Sequence, residues 1–234
     1  VAFSGDGKRL VTASTDGSVR LWRTADGALL ATHRHGAPLV AARFHGTRVL
    51  SGAENGSVHL WREDGGIDAV LPVDGKLTAL ASHGETIAAA TEAGVVRSWS
   101  GPRLAPRLLA GAGAPVRALA VSRDGDVAAG SDSGDSRRWS AREDEEARSY
   151  EGHSGAVIAL AFSDDGGRLV TAGADGIALS RPRGRGRTLT LSGHTRPLTS
   201  LALARDGRIV TASADGTARV FPPWPTEPIR LGEA

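Results

Sequence analysis

Hydrophobic and polar residues alternate along short runs of this chain, and tight turns of the Asp-Gly type separate the runs. The combination of an apolar run, a turn and a second alternating run recurs six times. The copies are Leu10–Trp22, Val49–Trp61, Ile87–Trp99, Val127–Trp139, Leu169–Arg181 and Ile209–Phe221. Alternation with a period of two predicts β-strands, and Asp-Gly between such runs is the strongest short signal for a β-hairpin.

Each repeat spans about 40 residues, since the turn positions Asp16, Asn55, Ala93, Ser133, Asp175 and Asp215 follow one another at steps of 38 to 42. The fifth repeat shows four strand signals, at 157–162, 168–173, 177–180 and 188–191. A period near 40 with four strands per unit is typical of β-propellers. A single twisted sheet cannot bury both of its faces, whereas sheets stacked around an axis bury them against each other.

The chain is therefore predicted to be all-β, a β-propeller of six four-stranded antiparallel blades that forms one domain over residues 1–234. The predicted blades are approximately 1–34, 35–73, 74–111, 112–152, 153–193 and 194–234. We interpret the chain as a fragment of a larger propeller or array. Because neither end offers a spare strand, a seam is expected between the first and sixth units.

These repeats resemble the WD-repeat family, in the Gly-His pairs Gly152-His153 and Gly193-His194, the turn aspartates and the closing tryptophans. The resemblance implies a buried hydrogen-bonded network of histidine, Ser/Thr, aspartate and tryptophan in each blade. Its members would be His35, Ser51, Asn55 and Trp61; His153, Thr171 and Asp175, with Arg181 at the tryptophan position; His194, Thr211 and Asp215, with Phe221 there; and Thr12, Asp16 and Trp22. The third and fourth units retain only Trp99 and Trp139.

The order His153, Thr171, Asp175 superficially suggests a catalytic triad. Because the same set recurs in other units, we interpret it as structural and expect no catalytic residue, metal ligand or cofactor. The alternative is a propeller hydrolase or lyase with a site in the central channel, which would need titratable residues on the first strands. Those strands carry Ala41, Ala79, Ala118, Ala159 and Ser200.

Composition and charge narrow the classes of function that remain. The net charge is +2 and the arginines are scattered, so a nucleic-acid binder is not favoured. That alternative would use Arg183, Arg185 and Arg187, which face the acidic stretch 141–148 in the neighbouring unit. Cysteine is absent, which mildly favours a cytoplasmic location. No apolar run approaches the roughly 20 residues of a membrane span.

A candidate partner site comes from the residue before each turn aspartate, which faces ligands on the top of WD-repeat propellers. This column reads Thr15, Glu54, Glu92, Asp132, Ala174 and Ala214. We predict an acidic sector of Glu54, Glu92 and Asp132, with Lys76 and Arg117 nearby, that binds a basic peptide or protein loop. The alternative is three solvated acids without a role. The predicted function is a non-catalytic protein-interaction scaffold or sensor in signalling, with other proteins or other domains of the same polypeptide as partners.

Overall fold

In the computed structural model, residues 1–110, 113–142 and 146–223 are described, and their regular structure consists of strands in six antiparallel sheets. The first sheet contains β1 (Ala2–Phe3), β2 (Arg9–Ala13), β3 (Ser18–Arg23) and β4 (Leu29–Arg34). The second contains β5 (Leu39–His45), β6 (Arg48–Ala53), β7 (Val58–Trp61) and β8 (Ile67–Val70). The third contains β9 (Leu77–His83), β10 (Thr86–Thr91), β11 (Val96–Ser100) and β12 (Ala105–Leu109).

The remaining sheets repeat this order. The fourth contains β13 (Val116–Val121), β14 (Val127–Ser131), β15 (Ser136–Trp139) and β16 (Arg148–Tyr150). The fifth contains β17 (Val157–Phe162), β18 (Arg168–Gly173), β19 (Ala178–Pro182) and β20 (Leu189–Leu191). The sixth contains β21 (Leu198–Leu203), β22 (Ile209–Ser213) and β23 (Ala218–Phe221). Every strand pairs with its neighbours in chain order, so each sheet is a simple meander.

The sheets stack face to face in chain order. Val11, Val19 and Leu21 of the first sheet pack against Val49 and Trp61 of the second. The same contact recurs between later sheets, in the clusters around Leu50, Leu60, Ile87 and Trp99, around Ala88, Val96, Val127 and Trp139, around Ala128, Leu160 and Leu169, and around Val170, Ala172, Leu198 and Ile209. The tryptophan face of one sheet therefore covers the aliphatic face of the sheet before it. This arrangement is that of propeller blades.

A β-bulge recurs near the beginning of the first strand in the second to sixth sheets. The register shifts between Leu39 and Ala41, and equivalently between Val116 and Ala118. The residues skipped by these shifts are Val40, Thr78, Arg117, Ile158 and Thr199. Because a bulge redirects one side chain out of the ladder, it decides which residue of this strand faces solvent.

The sixth sheet has three strands among the described residues, and the predicted fourth strand lies in 224–234, outside them. The ladders of the described residues include none between the first and sixth sheets. The described residues contain no helical segment with the length and hydrophobicity of a transmembrane span.

Candidate protein-interaction face

The fifth sheet holds a buried polar network. His153 Nε2 lies 2.8 Å from Thr171 Oγ1, and His153 Nδ1 lies 3.0 Å from Asp175 Oδ2. Burial lowers the pKa of His153, although the hydrogen bond to Asp175 acts in the opposite direction. The neutral ring therefore donates from Nδ1 to the carboxylate and accepts the Thr171 hydroxyl proton at Nε2. Thr171 and the His153 side chain are fully buried, so no substrate reaches this hydroxyl.

Arg181 replaces the family tryptophan in this network. Its Nη1 donates to Thr171 Oγ1 at 2.8 Å, and its Nη2 donates to the Glu151 carbonyl at 2.7 Å. The guanidinium also lies over the ring of Tyr150, 5.5 Å from its centroid. The arginine thus supplies the hydrogen-bond donor that an indole would supply.

The second sheet forms the network with one extra member. His35 Nε2 lies 2.8 Å from Ser51 Oγ, which also accepts the Trp61 indole N–H at 3.1 Å. Asn55 does not contact His35 directly. Ser57 Oγ lies 3.0 Å from His35 Nδ1 and donates to Asn55 Oδ1 at 2.7 Å. The hydroxyl of Ser57 therefore connects the turn to the histidine.

The first and sixth sheets hold partial versions of this network. In the sixth, His194 lies 2.9 Å from both Thr211 and Asp215, and Phe221 has no polar group to add. The first sheet retains the Trp22 to Thr12 hydrogen bond at 3.0 Å, while Asp16 caps its own turn through Ser18. In the fourth, Trp139 donates instead to the Ala110 carbonyl at 3.1 Å. These groups stabilise individual blades.

The predicted partner-binding residues form a band of alternating charge across the second, third and fourth sheets, which we call the interaction strip. Its members in order are Glu54, Lys76, Glu92, Arg117 and Asp132. Lys76 Nζ lies 3.8 Å from Glu54 Oε2. Arg117 donates twice to Asp132, at 2.6 and 2.7 Å. Glu92 forms no ion pair within the described ranges, although it acts electrostatically on Arg117.

Backbone geometry explains why these residues share one face. The N–H groups of Glu54, Glu92 and Asp132 donate to the carbonyls of Pro38, Lys76 and Pro115, in the connection before the first strand of the same blade. Each turn therefore lies against the connection that precedes the first strand of its own sheet. In the third sheet, this connection contains Lys76. Arg117 is the bulged residue of β13, so its side chain turns outward to Asp132. This bulge was not visible in the sequence.

Electrostatics in the strip follow from the Arg117–Asp132 pair. The hydrogen bonds from Arg117 lower the pKa of Asp132, and those same bonds raise the pKa of Arg117. The predicted acidic sector is therefore largely neutralised at its fourth-sheet end. Its unneutralised negative charge is concentrated at Glu92.

The arginine run of the fifth sheet is also internally paired. Arg183 contacts Asp124 at 2.9 Å, in the first turn of the fourth sheet, and its carbonyl accepts a hydrogen bond from Arg148. Residues 143–145 of the acidic stretch lie outside the described ranges, so its expected attraction to the arginine run stays a prediction. Arg185 and Arg187 are exposed.

His33 and His59, which the repeat pattern does not mark, lie against His35 at the junction of the first and second sheets. The rings of His35 and His59 stack at 4.2 Å, and His33 lies 5.4 Å from the Trp61 ring. Burial lowers the pKa of all three histidines, and that of His35 falls to about 3. The only sequence signal was the His-x-His spacing of His33 and His35.

The family description "WD domain, G-beta repeat" matches residues 1–23, 144–179 and 186–221. The chain belongs to the WD-repeat family. A similar protein is Telomerase protein component 1 of Rattus norvegicus, which is 30% identical over 223 residues. The match covers 92% of this WD-repeat chain and 7% of the rat protein's length. WD-repeat domains are typically protein-interaction scaffolds and generally non-catalytic.

Proposed function

We propose that this WD-repeat chain is a non-catalytic scaffold module that binds a protein segment at the interaction strip. The observation that carries the proposal is the continuous band of five charged side chains across three adjacent blades, held in place by backbone contacts. Glu54, Lys76, Glu92 and Arg117 are exposed, so a partner reaches them without rearrangement of the blades.

The charges of the strip define the partner. Arg117 and Asp132 satisfy each other, whereas Glu92 has no direct counter-ion in the described ranges and Lys76 is only loosely paired with Glu54. A basic side chain of the partner would lie at Glu92 and share Glu54 with Lys76. Such exposed ion pairs contribute orientation and association rate more than affinity, and salt screens them. The partner is therefore a peptide or loop with one or two basic residues.

A non-catalytic role agrees with the chemistry of the networks. The hydroxyl of Thr171 is buried, and the inner ends of the first strands carry Ala41, Ala79, Ala118 and Ala159. The buried hydroxyl is out of reach of a substrate, and the methyl groups of these alanines cannot transfer a proton. The rat relative is named a protein component of telomerase. A scaffold within an assembly fits that name, and other domains of the same polypeptide form a second class of partner.

The test begins with selection of binding peptides from a displayed random library against the 234-residue chain. The dissociation constants of the selected peptides are then measured by calorimetry. The triple variant Glu54→Lys, Glu92→Lys, Asp132→Lys should weaken binding at least tenfold, because it replaces every acid of the strip. The matched control is Glu63→Lys, Glu85→Lys, Asp164→Lys, with the same change of charge in other turns.

The result that supports the proposal is a loss of affinity in the strip variant alone, together with enrichment of basic residues in the peptides. Equal affinities in the strip variant and the wild type would reject the strip as the binding site. An equal loss in both triple variants would show that net charge, and not this face, governs binding.

A further inference from the structure

Three histidines meet where the first sheet packs on the second. His33 lies on β4, His35 follows it in the connection to β5, and His59 lies on β7. One ring nitrogen from each lies within 4.8 Å of the others. The closest pair is His33 Nε2 and His59 Nδ1, at 2.7 Å. The cluster therefore joins the outer strand of one blade to the third strand of the next.

The repeats of the chain act as internal controls for this cluster. The position of His59 is occupied in the other units by Arg20, Arg97, Arg137, Leu179 and Arg219. The position of His33 is occupied in the later units by Leu71, Ala110, Glu151 and Ser192. Neither histidine is required by the blade architecture, and only His35 belongs to the WD-repeat network. Two additional imidazoles at one junction therefore require a different explanation.

We propose that His33, His35 and His59 form a binding site for a divalent transition metal such as zinc. Three histidines provide a donor set that suits zinc and leave its fourth position for water. The chain has no cysteine, so no thiolate competes with the imidazoles for such an ion. The ion would tie the first sheet to the second at their outer edge.

The geometry requires only side-chain adjustment. Nitrogen ligands about 2.0 Å from a tetrahedral zinc lie about 3.3 Å apart, so the His33–His59 pair at 2.7 Å must open slightly. His35 contributes Nδ1, which exchanges Ser57 for the metal. Its Nε2 stays on Ser51, and this bond holds the ring in place as outer hydrogen bonds do for other metal-bound histidines. The protons on the ligating nitrogens move to the opposite ring nitrogens or to solvent.

The experiment uses the untagged 234-residue chain and zinc chloride in calorimetry, with thermal unfolding measured in parallel. We expect one zinc ion per chain and an increase in the unfolding temperature, because the ion binds the folded state. The variants His33→Gln and His59→Gln should each weaken zinc binding at least tenfold and abolish the thermal shift. Neither change removes a member of the WD-repeat network, so circular dichroism should show the wild-type fold.

His83→Gln is the matched control, since His83 is exposed and lies outside the cluster. It should bind zinc as the wild type does. Absence of zinc binding in the wild type would overturn the proposal, and so would the same affinity in all three variants. Neither result bears on the interaction strip, which lies in other residues and is tested with peptides.

Discussion

Single residues show how one polar contact is rebuilt with different chemistry. Arg181 stands where three other units have a tryptophan that donates to a neighbouring oxygen: Trp22, Trp61 and Trp139. The guanidinium reaches both Thr171 and the Glu151 carbonyl, and Tyr150 covers it. Arg181 departs from the repeat pattern in residue type but keeps the hydrogen bond that tryptophan makes in the first and second units.

We predict that Arg181→Leu lowers the free energy of unfolding by about 2 kcal/mol, because it leaves the buried hydroxyl oxygen of Thr171 without the N–H that Arg181 donates. Arg181→Trp should cost less than Arg181→Leu, since the indole N–H reaches Thr171. Urea unfolding measures both. Arg185→Leu in the exposed run is the control and should change stability by less than about 0.5 kcal/mol. If Arg181→Leu behaves like the control, the guanidinium does not hold the network together.

The sequence predicts these residues only in part. The positions of His153, Thr171 and Asp175 follow from the repeat, and they do lie within hydrogen-bond distance. The role of Ser57 as a connector between Asn55 and His35 could not be predicted, because it depends on side-chain rotamers. The His33–His59 contact joins residues 26 positions apart across two sheets, so it depends on inter-sheet packing that no local pattern reports.

At the scale of elements, the hairpin turns and the inter-sheet contacts depend on the same glycines. The turn glycine between the second and third strands has a positive φ, for example +89° at Gly134 and +81° at Gly216. At Gly134 an added Cβ would lie 2.4 Å from the His153 carbonyl in the connection to the next sheet. At Gly216 no described atom lies within 4 Å of that point. The sequence predicted the turn at Gly134, but it did not predict that this turn packs closely against the connection that contains His153.

We predict that Gly134→Ala destabilises the chain by about 2 kcal/mol more than Gly216→Ala. Both changes place alanine at a positive φ, so their backbone strain is similar, at about 1 kcal/mol. Only the first also forces the His153 carbonyl away. Urea unfolding of the two variants gives the difference directly. Equal destabilisation would show that the turn of the fourth sheet is not packed against the connection to the fifth.

The strand order of each sheet followed from the alternating pattern, whereas the bulges did not. Arg117 reads as an ordinary strand residue, yet the register shift in β13 turns it toward Asp132. A bulge depends on how two strands pair. The bulged residue also differs in type from one sheet to the next, so the sequence does not mark it. The sequence therefore predicted that the five charged residues of the interaction strip lie near one another, but not that Arg117 pairs with Asp132.

The whole molecule is a series of sheets in which each depends on its neighbours. The order of packing follows chain order, and the two terminal sheets each have an apolar face without a described neighbour. Phe3 on the first sheet is 65% exposed, and Val220 on the sixth is 62% exposed. In such a series, stability is the sum of blade terms and nearest-neighbour terms. The sequence predicted the serial order, and no ladder among the described residues joins the sixth sheet to the first.

Amide hydrogen exchange on a chain truncated after residue 193 tests this serial packing most directly. Truncation removes the sixth sheet and uncovers Val170, Ala172 and Ala178 of the fifth. Serial packing predicts that protection falls in β17–β20 and stays at the full-length level in β1–β8. An equal loss of protection in the first sheet would contradict it, because that result requires the sixth sheet to pack on the first.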